Sequence, residues 1–197
     1  EKVFSELSKN NTDRVVIADY VINLCGILFE NRKQKFNSVH AGIPESIAKI
    51  CSQSKVKKFI SVSALGSSRD SKSKYQQSKF LGEEKALNNF NKTVIIRPSV
   101  VVGNEDNFTN LFAKMSLSPI IPVVKKSYLF EPIFVNDVAK AILKAIETKN
   151  NEGKIYELGG GRVISFGDMI KLILKIIGKK RIVAEVSMPL AKIQGSL

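Results

Sequence analysis

Apolar and polar positions along the chain alternate between two periods. Short apolar runs of strand length recur between longer stretches whose apolar residues return every three to four positions, the pattern of strands separated by amphipathic helices. Tyr20-Val21-Ile22-Asn23-Leu24-Cys25-Gly26 is an apolar run closing on glycine, as a buried parallel strand does where it enters a loop. Residues 41–51 place Ala41, Ile43, Ile47, Ala48, Ile50 and Cys51 mostly on one helical side, and Lys58–Ser63 is the next strand. A polar stretch from Gly66 to Lys74 leads to a helix over about Tyr75–Asn88, then to the strand Thr93–Arg97, which Pro98 stops. Strand, helix and strand in that order make a crossover unit.

The second half continues the pattern with one interruption. Asn107–Pro132 reads as less regular, broken by Pro119, Pro122 and Pro132. Val138, Ala141, Ile142, Ala145 and Ile146 then mark an amphipathic helix over about Asn136–Thr148, and Ile155–Leu158 a late strand. Ser165 followed by Asp168 has capping-box spacing, opening a helix that buries Phe166, Met169, Ile170, Ile173, Leu174 and Ile177 and stops at Gly178. The sum predicts the α/β class, a parallel sheet with helices packed on it.

Composition adds bounds. With 197 residues, 44% of them hydrophobic, the chain has material for one sizeable core. Cys25 and Cys51 have neither CxxC nor metal-ligand spacing, so they read as small buried hydrophobes in a reducing, cytosol-like compartment. No apolar run approaches the length of a spanning helix, and Glu1-Lys2-Val3-Phe4 is not a signal peptide. The chain starts without methionine, which suggests a natural product extending further upstream. The net charge of +13 raises nucleic acid as a partner. Only six of the 31 basic residues are arginine, and they are spread along the chain with short clusters at Lys55–Lys58 and Lys179–Arg181, so a solvated surface is the preferred reading over nucleic-acid binding.

The candidate chemistry lies at Tyr75 and Lys79. A Tyr-x-x-x-Lys spacing on a helix puts both side chains on one face a turn apart. An adjacent ammonium favours phenolate, so this tyrosine is expected to have a lowered pKa and to serve as an acid toward a carbonyl oxygen receiving a hydride. Ser63, at the end of the preceding strand, is placed to orient the same oxygen, or is simply a buried hydroxyl bonded to backbone. His40, the one histidine, reads as a surface or packing residue rather than a base. Phe108, Phe112 and Phe130 line a hydrophobic site or belong to a core. Gly159-Gly160-Gly161 follows a late strand and reads as a turn.

Taken in order, Phe59–Gly66, Tyr75–Lys79 and Arg97–Asp106 resemble the extended and atypical short-chain dehydrogenase/reductases, the NAD-dependent epimerase/dehydratase-like group. Val21–Glu30, Pro132–Ala139 and Tyr156–Gly160 resemble, more narrowly, the branch containing the nucleotide-binding accessory subunit of respiratory complex I and its bacterial relatives. The resemblance runs from about residue 15 to residue 194. It implies a Rossmann-like doubly wound sheet, with a partial NAD(P)-binding domain over 1–106 and a smaller substrate-side lobe over 107–197 whose helices return to the main core. It also implies that Ser63, Tyr75 and Lys79 occupy catalytic positions. Asn23, Leu24 and Gly26 would end the strand under the adenosine and ribose, Pro98, Ser99 and Val100 would lie against the nicotinamide, and Lys79 would also bind the nicotinamide ribose. Asn23 as a strand cap and Pro98 as a strand terminator remain the alternatives.

The family's opening strand, Gly-x-x-Gly-x-x-Gly loop and helix, which hold the pyrophosphate, are not in this sequence. Nor is the selector between NAD and NADP. Val123-Val124-Lys125-Lys126-Ser127 stands where relatives often carry glycines, and the chain ends at Ile193–Leu197, short of where they continue. The implied function is an NAD(P)-binding protein of structural or assembly role. It would have complex I subunits as partners, peripheral membrane association, and a cytoplasmic location or one at the cytoplasmic face of a bacterial inner membrane. The alternatives are an active oxidoreductase or epimerase on a carbonyl-alcohol pair, an RNA-binding family member, and a remnant of a split gene.

Overall fold

A computed structural model describes residues 18–186. The stretches Glu1–Phe4 and Ile193–Leu197, noted above, lie outside the described residues. The chain divides into two compact units, one of residues up to Pro98 with Ala139–Leu158, the other of Ser99–Val138 with residues from Gly159 onward.

The first unit is built on a four-stranded, wholly parallel sheet. Its strands are Tyr20–Asn23 (β1), Lys58–Val62 (β2), Thr93–Pro98 (β3) and Ile155–Leu158, numbered β8 because four strands of the second unit come between, in the order β1-β2-β3-β8. The register sets Asn23 opposite Ser61 and Val62 opposite Ile96. Helix Ile43–Ser52 (α1), preceded by a π-helical turn over Asn37–Gly42, joins β1 to β2, and Lys74–Asn89 (α2) joins β2 to β3. These are the crossovers that parallel strands require. β2 and β3 are buried on both faces and carry the continuous apolar runs Phe59-Ile60 and Val94-Ile95-Ile96, as strands covered on both sides do. Ala48, Cys51, Val56, Phe59, Ala86 and Phe90 form one core cluster, and burial pushes the Cys51 thiol up to about 11. The first unit also contains the later residues of helix Val135–Glu147 (α4). Its C-terminal carbonyls are held by the buried Lys58, whose Nζ lies 3.0 Å from Ala145 O, 3.1 Å from Ile146 O, 2.6 Å from Thr148 O and 2.7 Å from Asn151 Oδ1. A cation there matches the negative end of the helix dipole.

Two local expectations change. The strand at Tyr20 ends at Asn23 rather than Gly26, because the Asn23 side chain turns the backbone by accepting from Cys25 N at 3.1 Å. The helix expected from residue 41 is preceded by the π turn, and Pro44, which has no N–H to continue the ladder, stands at the start of the α-helix that follows.

In the second unit, Asn107–Met115 forms a helix (α3) inside the stretch read as irregular. Asp106 caps it by accepting from Thr109 N at 2.5 Å, a signal that was present in the sequence. Helix Phe166–Ile176 (α5) opens as expected, with Ser165 Oγ accepting from Asp168 N at 3.1 Å, and closes at Gly178, where φ is +68°. The pairs Val101–Val102 (β4) with Ile133–Phe134 (β7), Ile120–Val123 (β5) with Ile182–Glu185 (β10), and Leu129–Phe130 (β6) with Ile164–Ser165 (β9) complete it. Phe108, Phe112 and Phe130 each pack on Phe166, at centroid distances of 5.4–6.0 Å, and Phe108 and Phe112 belong to the core cluster of this unit.

Candidate functional site

The carboxyl ends of β1 and β2 bring the first group of candidate residues together. Asn23, 2% exposed, donates through Nδ2 to Ser61 Oγ at 3.4 Å while its Oδ1 holds Cys25 N. Just beyond, the exposed backbone at Gly26 runs past the Lys79 ammonium so closely that a Cβ there would lie 3.1 Å from Nζ. Lys79 is buried on α2, with Nζ 3.5 Å from Val62 O. Ser63 is also buried, its N–H bonded to Ile96 O at 2.7 Å and its hydroxyl 3.2 Å from that of Ser67. Asn23, Cys25, Ser63 and Lys79 line one crevice of about 10 Å³, room for about one water. Larger hollows lie away from this chemistry, such as one of about 470 Å³ along Asn31–Gln34.

Tyr75 departs from the expected chemistry. Its ring stands edge-on to His40, with centroids 5.1 Å apart, and to Phe36 at 5.8 Å. Burial raises its phenol pKa above the ordinary tyrosine value, the reverse of the expected lowering. The ammonium meant to lower it is itself in difficulty. Burial lowers the Lys79 pKa, against the opposing pull of Glu83 and Cys25. A desolvated base and a desolvated acid both favour their neutral forms.

The remaining candidates are placed differently. Leu24 is 69% exposed at the end of β1. Pro98 is buried as the last residue of β3, and its carbonyl accepts from Leu65 N at 2.9 Å. Ser99 and Val100 are half-buried and belong to the second unit. The glycine run is irregular backbone with a bend at Gly161, whose N–H is already occupied by Glu131 Oε1 at 2.8 Å, and a Cβ at Gly160 would meet Pro132 O at 1.9 Å.

Two further groups border the site, His40, read from the sequence as a surface or packing residue, and Glu83, which that reading passed over. His40 is buried, its Nε2 3.1 Å from Ile27 N and its Nδ1 2.9 Å from Ser78 Oγ, and its ring stacks on Phe36 at 5.1 Å. It is therefore a packing residue that ties the turn after β1 to α2. Its pKa is lowered to about 4, first by burial and then by Lys79. Glu83, one turn after Lys79, is buried and grips Arg97 through two bonds, Nε at 3.0 Å and Nη2 at 2.7 Å, while Arg97 Nη1 reaches Glu157 at 3.1 Å. Its i,i+4 spacing from Lys79 was the available signal.

Comparison with known proteins locates this arrangement. Residues 67–193 match the model of the RmlD substrate binding domain. The chain belongs to the RmlD substrate binding domain family. It is also 31% identical over 158 residues to the mitochondrial NADH dehydrogenase (ubiquinone) 1 alpha subcomplex subunit 9 of Dictyostelium discoideum, covering 80% of this chain and 44% of that protein. The Mus musculus subunit is 36% identical over 145 residues, covering 73% of this chain and 38% of it. The chain thus spans less than half the length of these relatives. UDP-glucuronic acid 4-epimerase from Bacillus cereus, solved with UDP-glucuronic acid and NAD, superposes with a TM-score of 0.71 at 22% identity, over 86% of this chain and 62% of that one. The RmlD-family chain therefore has a Rossmann-like α/β fold, and its relation to the complex I accessory subunits holds as the sequence motifs implied.

Proposed function

We propose that the chain forms part of a nucleotide-binding subunit of the complex I accessory type, structural or assembling in role, with the ends of β1 and β2 receiving NAD or NADP. The observation that carries this reading is the convergence of Asn23, Gly26, Ser63 and Lys79 at the carboxyl ends of adjacent parallel strands. Ligands of open parallel sheets bind at such ends. Lys79 would donate to a ribose hydroxyl, exchanging the single long contact with Val62 O for a better acceptor. The exposed Gly26 would let the nucleotide lie close to the backbone.

The Tyr75 environment favours binding over turnover. A phenol held above its ordinary pKa and packed against two rings is a weak proton donor-acceptor pair for hydride chemistry. The partners in this reading are the dinucleotide and subunits of a respiratory complex. The association is peripheral to a membrane, in the cytoplasm or at the cytoplasmic face of a bacterial inner membrane; among the described residues no helix is long and apolar enough to cross one.

The test compares the protein with a Ser63→Ala, Tyr75→Phe double variant, measuring NADH and NADPH binding by fluorescence and their oxidation with a panel of carbonyl compounds. The structural reading expects binding in both proteins and oxidation in neither. Steady oxidation by the unaltered protein that disappears in the double variant would replace it with a catalytic oxidoreductase.

A further inference from the structure

One end of the second unit combines features that neither its core nor the nucleotide reading uses. α5 ends at Ile176, and the turn through Gly178 leads into β10, which pairs with β5 so that Ile182 lies opposite Ile120. That turn is fastened to the end of α3: Ile182 N donates to Pro119 O at 3.0 Å, and Arg181 Nε donates to Ser116 O at 2.7 Å. The two turns therefore form one fixed surface.

Large apolar side chains stand out from it. Leu117 is 84% exposed, Ile176 75% and Ile182 66%. Beside them is a hollow of about 460 Å³, lined by Lys171, Lys175, Lys179, Lys180 and Arg181 together with Leu174 and Gly178. Of these cations Lys171 is engaged by Asp168 at 3.0 Å, and Arg181 is held by backbone carbonyls. Exposed isoleucine and leucine next to clustered lysine is costly in water. It is favourable where apolar groups enter acyl chains and ammonium groups meet phosphate. A soluble polyanion would match the cations and leave the apolar side chains without a partner.

We propose that this end of the second unit docks on an anionic phospholipid bilayer, with Leu117, Ile176 and Ile182 entering the interface and the basic hollow receiving lipid phosphate. The proposal rests on the peripheral-association part of the proposed function and assigns it a surface. None of the residues proposed to meet the nucleotide takes part.

Vesicle flotation tests it, using the full chain with phosphatidylcholine vesicles and with vesicles of phosphatidylcholine mixed with phosphatidylserine. Binding is expected to the mixed vesicles only. Each basic residue at an anionic surface contributes about five-fold to partitioning, so Lys175→Glu, Lys179→Glu, Lys180→Glu together should reduce it by more than about a hundred-fold. Ile176→Ser with Ile182→Ser should reduce it by at least about ten-fold. The control Lys33→Glu with Lys35→Glu, which reverses two lysines elsewhere where the test variant reverses three, should retain most binding. All these side chains are exposed, so cooperative unfolding should be unaltered. No binding of the unaltered chain to mixed vesicles would remove peripheral lipid association itself. Binding that survives the triple reversal, or falls as far in the control, would remove this surface as its site. Binding that survives the loss of both isoleucines would show that the attachment is electrostatic only, with no apolar side chain entering the bilayer, and would overturn the proposal.

Discussion

Replacing His40 by glutamine should make the protein less sensitive to mild acid. His40 is 2% exposed and bonded at both ring nitrogens, to Ile27 N and Ser78 Oγ. Ser78 Oγ gives its own proton to Tyr75 O at 2.7 Å, so Nδ1 is the ring donor and Nε2 the acceptor, which fixes the neutral imidazole. Protonating Nε2 would set two N–H groups against each other, in a buried place beside the Lys79 ammonium. The pKa is accordingly lowered from 6.5 to about 4. Below pH 6.5 the unfolded chain therefore binds a proton that the folded chain refuses. The stability contributed by neutral His40 is complete above that pH and is lost as pH falls toward 4. At about 1.4 kcal/mol per pH unit the full loss is about 3 kcal/mol, of which about 2 kcal/mol has gone by pH 5. His40 is the only histidine, and the lowered carboxyl of Glu45, at about 2, titrates below this window. Urea unfolding at pH 7.5 and pH 5 should then show His40→Gln starting about 1–2 kcal/mol less stable, through lost stacking and hydrogen bonding. Over the same interval it should lose about 2 kcal/mol less than the unaltered protein. Equal losses in the two proteins would refute the claim that His40 is held neutral by the fold.

Two further substitutions probe the same region. Gly82→Ala would set a Cβ 1.8 Å from His40 O, a backbone atom, so α2 must move away from the π turn; thermal unfolding should report a loss of about 3 kcal/mol or more. Glu83→Gln removes the buried carboxylate from the Arg97 guanidinium, 13% exposed, and leaves it only the exposed carboxylate of Glu157. A loss of about 3–5 kcal/mol in denaturant unfolding is expected, with much of it recovered when Arg97→Met is added.

Much of the fold was legible because its signals are local or periodic. β2 and β3 carry the apolar runs Phe59-Ile60 and Val94-Ile95-Ile96, α2 and α4 begin and end within a residue of the positions read from their patterns, and the Ser165 cap and the Gly178 stop are side-chain and backbone chemistry written at fixed offsets. α3 was hidden by the prolines that follow it, although Asp106 announces its start. The candidate site was legible as residue types and only partly as geometry. Asn23, Gly26, Ser63 and Lys79 meet because parallel strands align their carboxyl ends. The environment of Tyr75 depends on where His40 and Phe36 fall, and their contacts cross about forty positions of sequence. Periodicity carries no information about such contacts, so the raised phenol pKa had no counterpart in the sequence.

The most direct test of the central claim is calorimetric titration of the 197-residue chain with NADH and NADPH. Saturable binding at about micromolar affinity to one of them is predicted, weakened about ten-fold or more by Lys79→Met as a charge-assisted hydrogen bond is lost. A cooperatively folded chain that binds neither, or binds with an affinity indifferent to Lys79→Met, would contradict the assignment of the β1 and β2 ends to the dinucleotide.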